Sequence, residues 1–415
     1  MRRHIGFLKS VFLHSISAFG GPQGHLGMMI KTFVDKRNDI SLIELMDINA
    51  FCQIMPGATS TQTLTLIGYK RGGSHLAILT LLIWMFPAVS IMSLASFLIT
   101  STSTKSHASL FLFMQPMALG FLLFAAIKAT FSLKSTFSRI IMLLTAVITF
   151  AFFKSPWIFP IVLVLSIFLS MLYHRNESQD TSTVKRKIRW SIFFAFLFIF
   201  IASGLVSEKA RKNNWEERTP FNLFENMYRF GSIVFGGADV LIPVMYEQYV
   251  VRPTSKKVSL TNQQAIKIES SYFLTGAGFV RAIPGPAFSF SAFIGGLAMS
   301  KDGPFYQLLG CVIAAIAIFL PSSFLVLFFY PIWENLHRFN MLQNVMHGIN
   351  ASVVGIMVAS IIYLTRDTIL PFVAMSNTVI LIFLLVFMST FFLLFFTKIP
   401  APIIAVFCLL LGYIF

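Results

Sequence analysis

The sequence predicts an all-α polytopic membrane protein built from two inverted repeats. Hydrophobic residues make up 56% of its 415 positions and charged ones only 12%, about half the charged share of a soluble domain. The mean hydropathy is +0.78. Long apolar segments recur along the chain, and a set of Gly/Pro landmarks occurs twice in the same order. An internal repeat of this kind is a duplication rather than a solenoid array.

In chain order, residues 5–30 begin as an amphipathic helix and reach a glycine-proline break at Phe19, Gly20, Gly21 and Pro22. The first ten residues resemble a signal peptide, but Lys9, His14 and Ser15 interrupt the apolar run and no small-residue cleavage site closes it, so it reads as the mature first helix. Residues 31–43 are polar and read as a loop or surface helix. Residues 44–69 are apolar but broken at Pro56, Gly57 and Ala58. Apolar segments follow at 76–100, 110–127, 140–153 and 156–173, then a polar stretch from His174 to Arg189, one span at 191–206, and a charged linker from Glu208 to Thr219.

After that linker the landmarks return. Phe235, Gly236 and Gly237 answer Phe19, Gly20 and Gly21, while Pro284, Gly285 and Pro286 answer Pro56, Gly57 and Ala58. Gly295-Gly296 answers Ile67-Gly68, Pro321 answers Pro87, and residues 395–408 answer 152–165. The division is therefore a first repeat at 1–175, a loop, linking span and charged linker at 176–220, and a second repeat at 221–415. Each repeat offers about six membrane segments, and the added span inverts the second, the plan of many secondary transporters. Basic residues in the first-half loops place the N-terminus in the cytoplasm and the C-terminus outside. The second half carries only a weak bias.

The two breaks mark the candidate site. Proline removes a backbone donor and stops a helix from running through. A helix restarting after it offers unpaired N–H groups and a partial positive charge to an anion. In the first repeat the candidates are Gly57, Ala58, Thr59 and Ser60, with Gln53 and Gln62 as amides. In the second they are Gly285, Ala287 and Ser289, with Arg281 three residues before Pro284. Arg281 either meets the ligand through its fork of donors or pairs with a carboxylate such as Asp239 or Glu269. The breaks themselves either bind or merely kink helices for close packing. Charge coupling needs titratable groups at depth: Asp47, Asp239 and Glu269 are the carboxylates and His25 the imidazole, each with a bland alternative at a membrane edge or in a packed loop.

The combination of Phe19-Gly20-Gly21-Pro22, His25, Asp47, Gln53, Pro56-Gly57, Ile67-Gly68-Tyr69 and Gly72-Gly73 with Phe235-Gly236-Gly237, Pro243, Leu260-Thr261, Pro284-Gly285-Pro286 and Leu320-Pro321-Ser322 resembles the chromate ion transporter (CHR) family in its long two-repeat form. This sequence departs from the family pattern at Ala58, where a second proline is usual, and at Ile40, where a tryptophan is usual. The resemblance implies export of chromate, a sulfate-shaped oxyanion, driven by membrane potential or a proton gradient, from a bacterial inner membrane. Transport of sulfate or another anion, a channel and a lipid flippase are the alternatives on the same scaffold. The expected partners are a small oxyanion and the bilayer, and a homodimer is compatible with both.

The remaining composition excludes other classes. The net charge of +16 fits cationic loops held by anionic lipid better than a nucleic-acid surface. Cys52, Cys311 and Cys408 lie far apart in apolar segments without metal spacing. No phosphate loop, nucleophile elbow or zinc-protease motif is present, so neither an enzyme nor a cofactor or metal is expected.

Overall fold

Helix breaks, more than helices, organise this chain. The computed structural model describes residues 4–19, 21–101, 108–155, 157–173, 188–255, 258, 265–336, 340–373 and 377–414. Gly20, Leu260, Thr261 and residues 174–187 of the polar stretch lie outside the described residues. Everything described is helix, turn or irregular chain, with no strand among the described residues.

The helices run α1 (Ile5–Ser17), α2 (Gly21–Met29), α3 (Leu42–Ile54), α4 (Thr59–Ser101), α5 (Met114–Ser132), α6 (Thr136–Ala151), α7 (Ile158–Tyr173), α8 (Trp190–Lys212), α9 (Thr219–Ile233), α10 (Ala238–Tyr246), α11 (Ser270–Ala282), α12 (Phe290–Ala298), α13 (Pro304–Leu336), α14 (Asn340–Val373), α15 (Asn377–Phe396) and α16 (Ala401–Ile414). By length and composition α4, α5, α8, Pro304–Trp333 of α13 and Val345–Ile369 of α14 can each cross a membrane, and shorter apolar helices accompany them.

Residues 31–43 form a partly exposed helical segment and a turn, in line with the sequence expectation of a loop or surface helix. A π-helical segment, Ile30–Lys36, continues α2, and a π segment at Glu247–Val251 continues α10 in the same way. Single π turns carry one extra residue per turn and concentrate at functional places. After the first of them Ser41 caps α3, its hydroxyl accepting from the Glu44 amide at 3.2 Å. This is a serine-x-x-glutamate start of the kind that satisfies the first turn.

The helix α4 is two arms rather than one rod. Gly72 and Gly73 leave helical geometry, Gly73 at φ 70° and ψ −164°. A straight helix would hold residues 68 and 80 about 18 Å apart. Instead, a Cβ built on Gly68 would lie 3.0 Å from the Thr80 Cβ and 3.2 Å from the Leu76 carbonyl, so the second arm folds back along the first. The second half repeats the reversal at Gly303 (φ 107°), where α12 gives way to α13. Left-handed glycines therefore stand at three matching places in each half: Gly21 and Gly237, Gly57 and Gly285, Gly73 and Gly303.

The chain divides into two compact units. The first comprises residues 1–97, 178–237 and 283–342. In it α9 lies along α13, α8 flanks both, and α12 is folded back on α13. Its core gathers Phe7, Val11, Phe33, Leu45, Phe51, Trp84 and Tyr330. The outer face of α8 is bare and apolar, with Phe194 60% and Phe198 73% exposed, as a lipid-facing helix requires. The second unit comprises residues 98–177, 238–282 and 343–415. There α5 is flanked by α11 and α15, and α6 pairs with α7. Glycines set its close crossings: Cβ atoms on Gly348 and Gly355 would each lie 2.6 Å from a carbonyl, of Ser166 and Met142 respectively. Small residues at helix contacts are how helices associate in lipid.

Candidate functional site: the twin helix breaks

The two Pro-Gly breaks are tied down by the same reciprocal bonds. At the first, α3 ends at Ile54 and Gly57 adopts φ 116°. Its amide donates to the Val234 carbonyl at 2.8 Å. At the second, α11 ends at Ala282 and Gly285 adopts φ 101°. Its amide donates to the Ala18 carbonyl at 3.0 Å. Ala18 and Val234 each precede a Phe-Gly-Gly run, so they are matching positions. Side-chain contact repeats the exchange. A Cβ on Gly57 would lie 2.7 Å from the Ser322 Cβ, and one on Gly285 would lie 2.9 Å from the Ala88 Cβ, each just past the matching proline, Pro321 or Pro87. A side chain fits neither place, and an L-residue strains at either φ.

The first break opens into a buried polar cluster. The first arm of α4 begins with Thr59, Ser60, Thr61 and Gln62, and the Gln62 amide closes the first turn on the Ala58 carbonyl at 3.0 Å. The amides before it have no carbonyl one turn earlier. Ser60 is 7%, Thr61 3% and Gln62 1% exposed. Gln62 donates through Nε2 to the Pro56 carbonyl at 2.7 Å and to Ser322 Oγ at 2.9 Å. Its Oε1 is buried without a hydrogen-bond partner. The Trp84 indole N–H donates to Thr61 Oγ1 at 3.0 Å.

His25 ties the two breaks together. Its Nδ1 lies 3.0 Å from Ser60 Oγ, and its ring lies near the backbone of Ala18, whose carbonyl takes the Gly285 amide. One imidazole thus stands between the start of the α4 arm and the carbonyl that holds the second break. A neutral imidazole can donate from one nitrogen and accept on the other. At the second break, Ser289 closes a turn on Pro286 at 3.0 Å, and the hydroxyls of Ser289 and Ser291, both 0% exposed, have no hydrogen-bond partner.

The other expected residues fall elsewhere. Gly57 and Gly285 stand at the breaks, but their amides are engaged by Val234 and Ala18 and are not open to a ligand. Arg281 lies in the second unit and pairs with Asp239, both side chains partly exposed; its Nε is buried without a hydrogen-bond partner. Asp47 on α3 accepts from the Trp333 indole at 3.2 Å. Gln53 is exposed on the same helix, and Glu269 is exposed and takes a bond from Ser271 at 2.6 Å. His14, Trp84 and Ser322 join the cluster without having been singled out as site residues. Their contacts span distances along the chain that no local motif carries. Counting from the shared prolines, however, places Ser322 opposite Ala88 and so marks a polar residue where the other half has none.

The family described as Chromate transporter matches residues 5–172 and again 221–413. The chain belongs to the chromate transporter family. An uncharacterized transporter of Methanocaldococcus jannaschii is 25% identical over 355 residues, covering 82% of this chain and 79% of that relative. No solved structure matches. As a member of the chromate transporter family with membrane-crossing helices, the chain is a multi-pass membrane transporter with a small ion as its substrate.

Proposed function

We propose that this chain exports chromate or a related tetrahedral oxyanion from a bacterial cell, driven by the membrane potential or the proton gradient. It would work from the inner membrane with its N-terminus in the cytoplasm and its C-terminus outside. The anion binds at the two broken helices, between the start of the α4 arm and the Ser289–Ser291 turn. The observation that carries this reading is the reciprocal seating of the breaks, Gly57 on Val234 and Gly285 on Ala18, with Gln62 Oε1 at the first and the Ser289 and Ser291 hydroxyls at the second buried without a hydrogen-bond partner. Recurrence of the left-handed glycines and π segments supports two inverted repeats at 1–175 and 221–415, joined through 176–220. Interrupted helices meeting at a repeat interface are where such transporters hold their substrates.

The substrate is tested with the purified chain in vesicles loaded with chromate, sulfate or molybdate. Chromate efflux that accelerates when a potential or pH difference is imposed, and saturates with concentration, is the expected result. Movement of none of the three oxyanions overturns the proposal. Lipid scrambling would identify a flippase, and an ohmic, unsaturated current a channel.

A further inference from the structure

One buried group at the cluster has no polar partner. His14, on α1, is 2% exposed, and neither of its ring nitrogens has a hydrogen-bond partner. The ring stacks on Trp84 with centroids 5.2 Å apart and planes 27° apart. It meets Phe33 edge-on at 5.8 Å. His25 meets Trp84 edge-on at 5.4 Å, so one indole carries two buried imidazoles and, through its N–H, Thr61 of the α4 arm. A neutral imidazole has one N–H and one lone pair, and leaving both dry is costly. Packing does not ask for it: the matching position in the second half is Phe230, a buried phenyl ring.

We infer that His14 binds a proton as the anion arrives at the first break, so that oxyanion binding and protonation are linked at this site. The inference rests on the anion reading of the site. Its basis is what surrounds the ring. From α2 comes His25, whose ring meets the same Trp84 indole. The π segment presents Phe33, while Lys31, Asp35 and Lys36 are exposed. Arg37, Asp39 and Arg71 form an ion cluster around Gly6 and Phe7, toward the other end of α1. The second arm of α4 presents Trp84, and the second break presents backbone at Gly285 beside the Ser15 carbonyl. Lys9 on α1 itself is exposed. No carboxylate among the described residues of these elements is placed to balance an imidazolium at position 14. A charge there needs an opposite one close by, and an anion at Ser60 and Thr61 supplies it. The proton comes from solution onto the ring lone pair and leaves when the anion leaves. Such linkage is reciprocal: whatever the anion does to protonation, protons do to anion affinity.

The test uses Trp84 as the reporter, because a stacked imidazolium quenches indole emission. Emission of the full chain in micelles, excited at the red edge of the tryptophan band, is titrated with acid, without and with sulfate as a transparent oxyanion. We expect a quenching step whose midpoint rises by about one pH unit with saturating sulfate, matched by about tenfold tighter sulfate binding at the lower pH. The step should vanish in His14→Phe, which borrows the ring of the matching position, and in Trp84→Phe. His14→Gln, polar but unable to hold the proton, must also lose it. A step that survives both His14 variants, or that sulfate does not move, overturns the inference. The two readings fail differently. If the wild type moves no oxyanion yet shows the sulfate-linked step, transport is wrong and the proton site stands. If it transports and the His14 variants keep its pH profile, the proton site is wrong and transport stands.

Discussion

The two breaks share a backbone and differ in chemistry. Each has a left-handed glycine, each donates its amide to the residue before the other half's Phe-Gly-Gly run, and each lies against the other half's proline-containing helix. Around the first stand His14, His25, Ser60, Gln62, Trp84 and Ser322. The matching positions in the second are Phe230, Leu241, Phe288, Phe290, Ile318 and Ala88. The Thr61–Ser289 and Thr63–Ser291 pairs keep a hydroxyl on both sides. A glycine pressed against a helix has few substitutes, so the backbone geometry is alike at both breaks. More of the polar side chains stand at the first.

The largest effect that would break this comparison is at the glycines. Gly57→Val and Gly285→Val each force an L-residue to a forbidden φ and into Ser322 or Ala88. Each should cost about 3 kcal/mol or more, seen as a lowered unfolding midpoint in detergent. If only Gly57→Val were destabilising, the symmetry of the two seats would be illusory.

A smaller effect separates the two roles open to Arg281. Arg281→Asp or Asp239→Arg alone should cost about 1–3 kcal/mol, since each leaves a partly buried charge without its partner. The double exchange should recover most of that stability. If transport returns with stability, the pair is structural; if stability returns and transport does not, the guanidinium itself meets the ion. Smaller still in stability, about 1 kcal/mol, is Gln62→Leu, which frees Ser322 and the Pro56 carbonyl. Its transport loss should be at least about tenfold. The mirror substitution Phe290→Leu should leave transport within about twofold, which confines the polar chemistry to the first break. A matching loss there would sink that view.

Much of the fold was legible because membrane helices announce themselves by composition, and breaks by proline and glycine. Pro56-Gly57 and Pro284-Gly285 stood out for that reason, and their order along the chain suggested the pairing. What lay beyond reach was long-range. Nothing near Gly57 in sequence points to Val234, and His14 first read as a residue that merely spoils a signal peptide. The reversal at Gly72-Gly73 was also hidden, since an apolar run with two glycines reads equally as one bent helix. For Arg281 both alternatives were visible in sequence, and the structure supplies the carboxylate partner, Asp239.

The short first arm of α4 has an electrical consequence. Residues 59–71 rise about 20 Å from a turn flanked by Lys70 and Arg71, with Arg189 donating to Ser74 there, against a hydrocarbon core of about 30 Å. On the proposed reading, an ion held at Ser60 would sit inside the voltage drop and not at its edge. Moving one charge across the whole drop is worth about 2.3 kcal/mol per 100 mV, so a divalent ion crossing half of it gains or loses about that much. Occupancy at the break should then depend on voltage even when no net transport occurs, and brief capacitive currents on rapid ion jumps would report it.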